Sequence, residues 1–484
     1  MLEELPLHLI LEILTSGRLS AVDLVCLQLT ATLFKGSNLF PFPLKFGSLV
    51  DFAAFQLCHS HNLYISMKLS AQEELLNRCN GNWKRLLRFL QSLEQSSDMV
   101  HTTAGNQMQI KSGRYHTLLI NNSTVYSCGS CICGVLGHGP EETQCVAFTR
   151  MSFPLPAQVV HVSASHNHAA FVTQSGEVFT CGDNSSLCCG HVDTNRAIFR
   201  PRRVEALNGV PCKQVAAGLS FTVFLSREGH VYSCGSNVHG QLGHGDNVDR
   251  ATPKIIEQLA CFGFIVQISA GPSYVLAVSN DGTLYSFGYG ANFCLGHGEQ
   301  HDVQQPRAVQ SFRRRGIHVA RVCAGDEHAI ALDSSGYVYT WGKGYGGALG
   351  HGDETDKTTP AILSNLKSYL AVQVCASKRK TFVLTDGGSV FGFGWMAFGS
   401  LGFPNRGPLD KVLSPEVLES LRPHHISQVS TGLYHSVVVT NQGKIFGFGD
   451  NERAQLGHDT LRGCLKPTEI FIPDIIHESE NLYQ

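Results

Sequence analysis

Cys128, Cys131, Cys133 and His138 are crowded enough to suggest a zinc site of thiolates and imidazole. A second set of imidazoles recurs in Leu-Gly-His and related segments at His138, His191, His244, His297, His351 and His458. Neither set points to catalysis. Cys128 occupies a slot held elsewhere along the chain by Cys181, Cys234, Phe287, Trp341, Phe393 and Phe448. A position that accepts Phe and Trp is an apolar core position, and a thiol suits it as a small hydrophobe. A histidine that returns at a fixed interval is structural, holding a turn by hydrogen bonds. Glycine is dense, yet no phosphate loop ending in Gly-Lys-Ser/Thr occurs, and no Ser nucleophile elbow either. The expectation is a protein without catalytic residues, metal or cofactor, and therefore not an enzyme.

The interval itself is the main signal. Gly129, Gly182, Gly235, Gly288, Gly342, Gly394 and Gly449 each follow a short apolar run, at spacings of 52 to 55 residues. A second marker precedes each glycine by 13 or 14 residues: His116, His168, Phe221, Tyr274, His328, Lys380 and His435. A third is a downstream proline, at Pro201, Pro253, Pro306, Pro360, Pro415 and Pro467. Around Gly235 the unit reads as short strands, with apolar runs at 215–217, 222–225 and 231–234 bounded by Gly and Asp/Asn turns. Units of this length with three or four strands and no helix signal are propeller blades, and a lone blade cannot bury both faces. The fold expected is an all-β seven-bladed propeller with a small N-terminal α-helical domain.

The repeats resemble the regulator-of-chromosome-condensation repeat family. The resemblance runs from about 105 to 475 and is sharpest in Cys-Gly-Ser-Asn-x-x-Gly-Gln-Leu-Gly-His-Gly at 234–245. The family resemblance implies seven blades. The plant UV-B receptor of this family resembles the repeats and senses light with clustered tryptophans in Gly-Trp-Arg-His-Thr segments. Here that segment reads Gly113-Arg114-Tyr115-His116-Thr117, and only Trp83, Trp341 and Trp395 exist, so UV-B sensing is not expected.

The first hundred residues are poor in glycine and helical in pattern. Leu5, Leu9 and Ile13 recur every four residues; Asp23, Leu24, Leu27 and Phe34 suggest a second helix begun by Ser20. Trp83, Leu86, Leu87, Leu90 and Leu93 form an apolar stripe on a third. The first segment resembles an F-box, which docks substrate receptors onto the Skp-type adaptor of a cullin ubiquitin ligase. The match lies in Leu5-Pro6, Leu9, Ile13, Leu19, Asp23-Leu24 and Leu27. His8 replaces the usual acid, two extra residues precede Leu19, and Thr30-Ala31-Thr32 stand where Val-Cys-Arg is common. The alternative is a helical cap. The resemblance implies an adaptor-binding face at Leu5, Pro6, Leu9, Ile13 and Leu24. The division expected is 1–40 F-box-like, 41–104 helical connector, 105–475 propeller and 476–484 tail.

Net charge is −2, which gives no strong nucleic-acid signal, and no run of apolar residues is long enough for a membrane span. The acidic start Met1-Leu2-Glu3-Glu4 is unlike a secretory signal. The 17 cysteines are therefore expected as reduced thiols, with the protein in the cytoplasm, the nucleus or both.

Variation against a repeating scaffold marks where partners bind. The two residues before the second marker change in every blade, giving Arg114-Tyr115, His166-Asn167, Asp326-Glu327, Lys378-Arg379 and Leu433-Tyr434 as candidate partner-binding positions. The reading is a protein–protein interaction module: the F-box-like receptor subunit of a cullin-type ligase, with an unknown target protein on the propeller. The alternative is a regulatory scaffold or an exchange factor for a Ran-type GTPase, although the even spacing leaves little room for the wedge insertion that exchange factors use. Ring closure is expected through a leftover C-terminal strand near 469–473, paired in the same sheet as residues near 115–128.

Overall fold

The computed structural model describes residues 7–16, 19, 23–25, 27, 48–94, 100–102, 106–154, 157–192 and 196–472. The chain divides into two compact units, one built mainly from Met1–Gln95 and one from the repeats.

The first unit is helical: α1 (Leu7–Thr15), α2 (Leu49–Ser60), α3 (Asn62–Ser66), α4 (Leu69–Arg78) and α5 (Trp83–Glu94). Ser48 caps α2 by accepting from the Asp51 amide at 3.1 Å. Of the α5 stripe, Leu86, Leu87, Leu90 and Leu93 are inside and Trp83 is half-buried; Phe89, off the stripe, is buried as well, while Arg88 is exposed. α5 packs on α2, with Lys84 Nζ 2.7 Å from Asp51 and the Phe55 and Trp83 rings edge to face at 4.8 Å. Residues 23–25 are helical, as the spacing predicts, whereas Ser20 and Phe34 lie outside the described residues.

Among the described residues the repeats form seven antiparallel sheets of four strands, with one extra two-residue strand, Val100–His101, in the first. Blade three shows the plan: inner strand Cys212–Ala217, second strand Phe221–Ser226, third strand Val231–Gly235, outer strand Arg250–Ile255. All seven second strands are buried along their whole length, because both faces press against neighbouring blades. The two sequence markers are cross-strand partners: His116 faces Gly129, Phe221 faces Gly235 and His435 faces Gly449. The glycine is required there. At Gly129 φ is +114°, and a Cβ would fall 2.3 Å from the Tyr115 carbonyl oxygen.

Two expectations are corrected. The C-terminal strand Cys464–Ile470 does not enter the first blade. It is the outer strand of blade seven, with Ile470 opposite Ile445, and blade one is completed by its own Gln107–Ser112. The proline strand is the fourth strand of blades two to seven, and blade one has its own fourth strand in Gln144–Arg150, so nothing is left over. The ring closes by side chains instead: Met108, Ile110, Leu119 and Tyr126 of blade one pack with Val437, Val439, Ile445 and Ile470 of blade seven. The repeats are also not free of helix. Between blades run two six-residue helices, α6 (Glu257–Phe262) and α7 (Gln310–Arg315), where other blades use 3₁₀ turns such as Glu205–Leu207 and Ser364–Leu366. Each of these turns buries one apolar side chain, Leu207, Leu259, Phe312 or Leu366, beneath the chain's return to the next inner strand.

Candidate functional site

The inner strands leave a central channel, and its wall is stitched blade to blade. Gln109 Oε1 accepts from the Val162 amide at 2.8 Å, Gln214 from Ile268 at 3.0 Å, Gln267 from Val322 at 3.0 Å, Gln373 from Val429 at 3.0 Å and Gln428 from Ile110 at 2.9 Å. The last of these crosses the ring seam. Side-chain amides suit this role because they satisfy a backbone N–H that no strand can reach.

Marker residues make the second set of stitches. His168 Nε2 meets Thr222 Oγ1 at 2.8 Å, His328 meets Thr381 at 2.8 Å, and His435 meets Thr117 at 2.9 Å. Tyr274 donates instead to the Gly325 and His328 carbonyls, and the buried Lys380 ammonium donates to the His435 carbonyl at 3.3 Å. Burial pushes the Lys380 ammonium down to about 7. Five of the six recurring histidines stay within their own blade and bond the third-strand hydroxyl, among them His138 to Ser127 at 2.8 Å, His244 to Ser233 at 3.0 Å and His351 to Thr340 at 3.0 Å; His458 faces Gly447 and has none to bond. Cys128 is buried, its thiol pointing to the Gln455 carbonyl at 3.7 Å, whereas Cys133 lies exposed on a loop.

The turns before the markers converge on one mouth of the channel, lined by Gly113, His166, Leu219, Asp326 and Leu433 among others. Cross-strand pairing of marker and glycine brings the loop after each glycine to the same end of its blade. Arg114 lies 4.9 Å over the Tyr115 ring, with Arg453 from the blade-seven loop on the same ring at 5.4 Å. Lys378 lies over Tyr434 at 5.9 Å, and Phe398 meets Tyr434 edge to face at 5.2 Å. Arg379 and Lys411 both sit on Tyr345, at 4.5 and 4.9 Å, while Glu327 pairs with Arg379 and Lys343 at 3.5 Å each. Blades five, six, seven and one thus carry a continuous rim of aromatic–cation pairs.

Two groups show how close the charges stand. Burial, aided by Arg114 and Lys378, pushes the His166 imidazole down to about 4. Burial lifts the Asp326 carboxyl to about 6 against Lys378, which favours its charge.

Of the candidate positions, Arg114, Tyr115, His166, Asn167, Asp326, Glu327, Lys378, Arg379 and Tyr434 are half-buried around this mouth, and Leu433 is buried in its wall. Tyr345, Phe398, Lys411 and Arg453 belong with them and are missing from the sequence reading. Their signal is large or cationic side chains in the loops that follow the anchor glycines or, for Lys411, at the start of the outer strand. In the helical unit Ile13 is exposed and Leu24 is buried; Leu9 lies on α1, and Leu5 and Pro6 are outside the described residues. Leu24 as placed has no surface to offer an adaptor.

Residues 81–321 match the RCC1-like domain, and 335–384 and 387–439 match regulator of chromosome condensation (RCC1) repeats. The chain is 33% identical over 366 residues to the ultraviolet-B receptor UVR8 of Arabidopsis thaliana, covering 75% of this chain and 81% of that protein. It belongs to the RCC1-like family. It is also 29% identical over 344 residues to mouse HERC2, an E3 ubiquitin-protein ligase, but spans only 7% of that protein. The solved structure of Prp20p from Saccharomyces cerevisiae superposes with a TM-score of 0.66 at 19% identity, over 79% of this chain and 90% of that one. Like other RCC1-like propellers, this one is a protein-interaction module. No helix among the described residues is long and apolar enough to cross a membrane.

Proposed function

We propose that this RCC1-like propeller grips a protein partner across the rim at Arg114, Tyr115, Lys378, Arg379 and Tyr434. In the same proposal the helical unit couples that partner to a cullin-type ubiquitin ligase as an F-box-like receptor, performing no chemistry itself. The rim carries the binding half. Aromatic rings under Arg and Lys are rigid, large in area and already partly desolvated, the composition of interface hot spots. The ligase half is supported by the Leu5-Pro6 pattern, by the exposed Ile13 on α1 and by the similarity to part of a named E3 ligase.

Affinity purification from cells tests both halves. A Skp-type adaptor is expected with the wild type and lost with Leu9→Asp/Ile13→Asp. Tyr345→Ala/Tyr434→Ala is expected to lose the target and keep the adaptor. Adaptor binding undiminished in a folded Leu9→Asp/Ile13→Asp protein overturns the ligase half; target binding undiminished by the tyrosine pair overturns the rim. Release of labelled GDP from a Ran-type GTPase is expected to stay at its intrinsic rate.

A further inference from the structure

Two residues beyond each Gln clasp position, a second side chain reaches sideways along the channel wall. The seven residues there are Lys111, Ser163, Ala216, Ser269, Cys323, Cys375 and Ser430. Three serines show what the position does. Ser163 Oγ accepts from the Ala217 amide at 3.0 Å, Ser269 from Ala324 at 3.0 Å, and Ser430 from Ser112 at 2.8 Å across the ring seam. Each oxygen thus sits against the backbone of the following blade.

Cysteine holds this position in two blades, and those blades are neighbours. Cys323 Sγ takes the serine's place and accepts from the Ala376 amide at 3.2 Å. Ala376 follows Cys375 directly, so the geometry that serves the serines brings the Cys323 thiol to the backbone beside Cys375. The two thiols lie within hydrogen-bonding reach. Both residues are half-buried and line the channel, a cavity of about 180 Å³ that admits water-sized reactants. The Cys323 thiol beside it and burial push the Cys375 thiol well up, and Lys111 acts against them.

We propose that Cys323 and Cys375 form a redox modification site, in which a hydroperoxide closes a disulfide between the inner strands of blades five and six. One thiolate attacks the O–O bond of hydrogen peroxide, takes one oxygen as a sulfenic acid and releases the other as water. The second thiolate attacks the sulfenic sulfur and expels that oxygen as a second water. Two S–H bonds are lost and one S–S bond forms, while peroxide gains the two electrons and both protons. The product replaces one polar clasp with a covalent tie between blades.

Peptide mapping tests this directly. Trypsin leaves Cys323 in 322–343 and Cys375 in 368–378, each peptide with a single cysteine. After mild hydrogen peroxide and alkylation, the wild type is expected to yield these two peptides linked, and dithiothreitol to release them. Cys323→Ser restores the serine that three other blades use, so it is expected to melt like the reduced wild type. It is also expected to give no linked peptide and none of the rise in Tm, by a few degrees, that oxidation gives the wild type. Both peptides recovered unlinked from oxidised wild type, or either one linked to another cysteine, overturn the proposal.

Discussion

His435 Nε2 lies 2.9 Å from Thr117 Oγ1, and 318 residues of chain separate them. The contact joins the last blade to the first and repeats the stitch that His168 and His328 make to Thr222 and Thr381. In blade three the same position is Phe221, which packs with Val275 of blade four. These seams are thus polar on both sides or apolar on both sides. The pairing suggests a double-mutant cycle. Thr117→Val is expected to cost about 1–3 kcal/mol, because it strands a buried imidazole. Adding His435→Phe is expected to recover part of that loss in urea unfolding. Strict additivity of the two changes would show that the contact carries no seam energy.

One seam is mismatched. His116 faces Ala169 in blade two instead of a hydroxyl, and its Nε2 is buried without a partner. Burial, with His166 and His168 nearby, pushes this imidazole down to about 3. Ala169→Thr supplies the missing hydroxyl in the place where Thr222 serves His168. It is expected to raise stability by about 1 kcal/mol, and an unchanged or lower Tm counts against it.

Buried histidines also set the acid limit. Burial pushes His328 and His297 down to about 4, below the ordinary 6.5. Folded-state values below the unfolded value mean that the unfolded chain binds more protons as pH falls. Stability is therefore full above about pH 6.5 and is lost between there and about pH 4, by up to about 3 kcal/mol for His328 alone. Thermal melts from pH 8 to pH 4 are expected to be flat at first and to fall below pH 6.5. A flat profile down to pH 4.5 would refute this.

Lys380 works the opposite way to a stabilising stitch. Its folded value of about 7 lies under the ordinary 10.5, so the charged form is penalised as pH falls from about 10.5 to 7. Lys380→Met is expected to stabilise the protein at pH 6 by about 1–3 kcal/mol and much less at pH 10. Equal effects at both values would mean that packing, and not charge, governs the site.

The C-terminal strand gives a truncation test. A stop at Leu465 removes nearly all of Cys464–Ile470, exposing the third strand of blade seven and Ile445 opposite Ile470. A stop at Ile476 leaves that strand whole. The first truncation is expected to melt far below the second, and matching melts would mean that blade seven holds without its outer strand.

How much was legible follows from where each signal comes. The anchor glycines and the second marker could be read because a steric demand repeats: a Cβ at Gly129, Gly182, Gly394 or Gly449 would strike the carbonyl before the marker. The apolar stripe of α5 was legible for the same local reason. The turns at Arg114-Tyr115 and Lys378-Arg379 stood out because they vary from blade to blade beside positions that keep the repeat register. Tyr345 and Arg453 did not, because their importance arises only when Arg379 and Tyr115 arrive beside them from another part of the blade ring.

By itself the sequence determined the number of blades, their strands and the helical character of the first hundred residues, since period, glycine strain and hydrophobic spacing are properties of the local chain. Tertiary structure alone decided how the ring closes, which thiols meet and which cations cap which rings. Cys323 and Cys375, or His435 and Thr117, lie far apart along the chain. They become neighbours only when the seven sheets bury their faces against one another, and no local preference encodes that meeting.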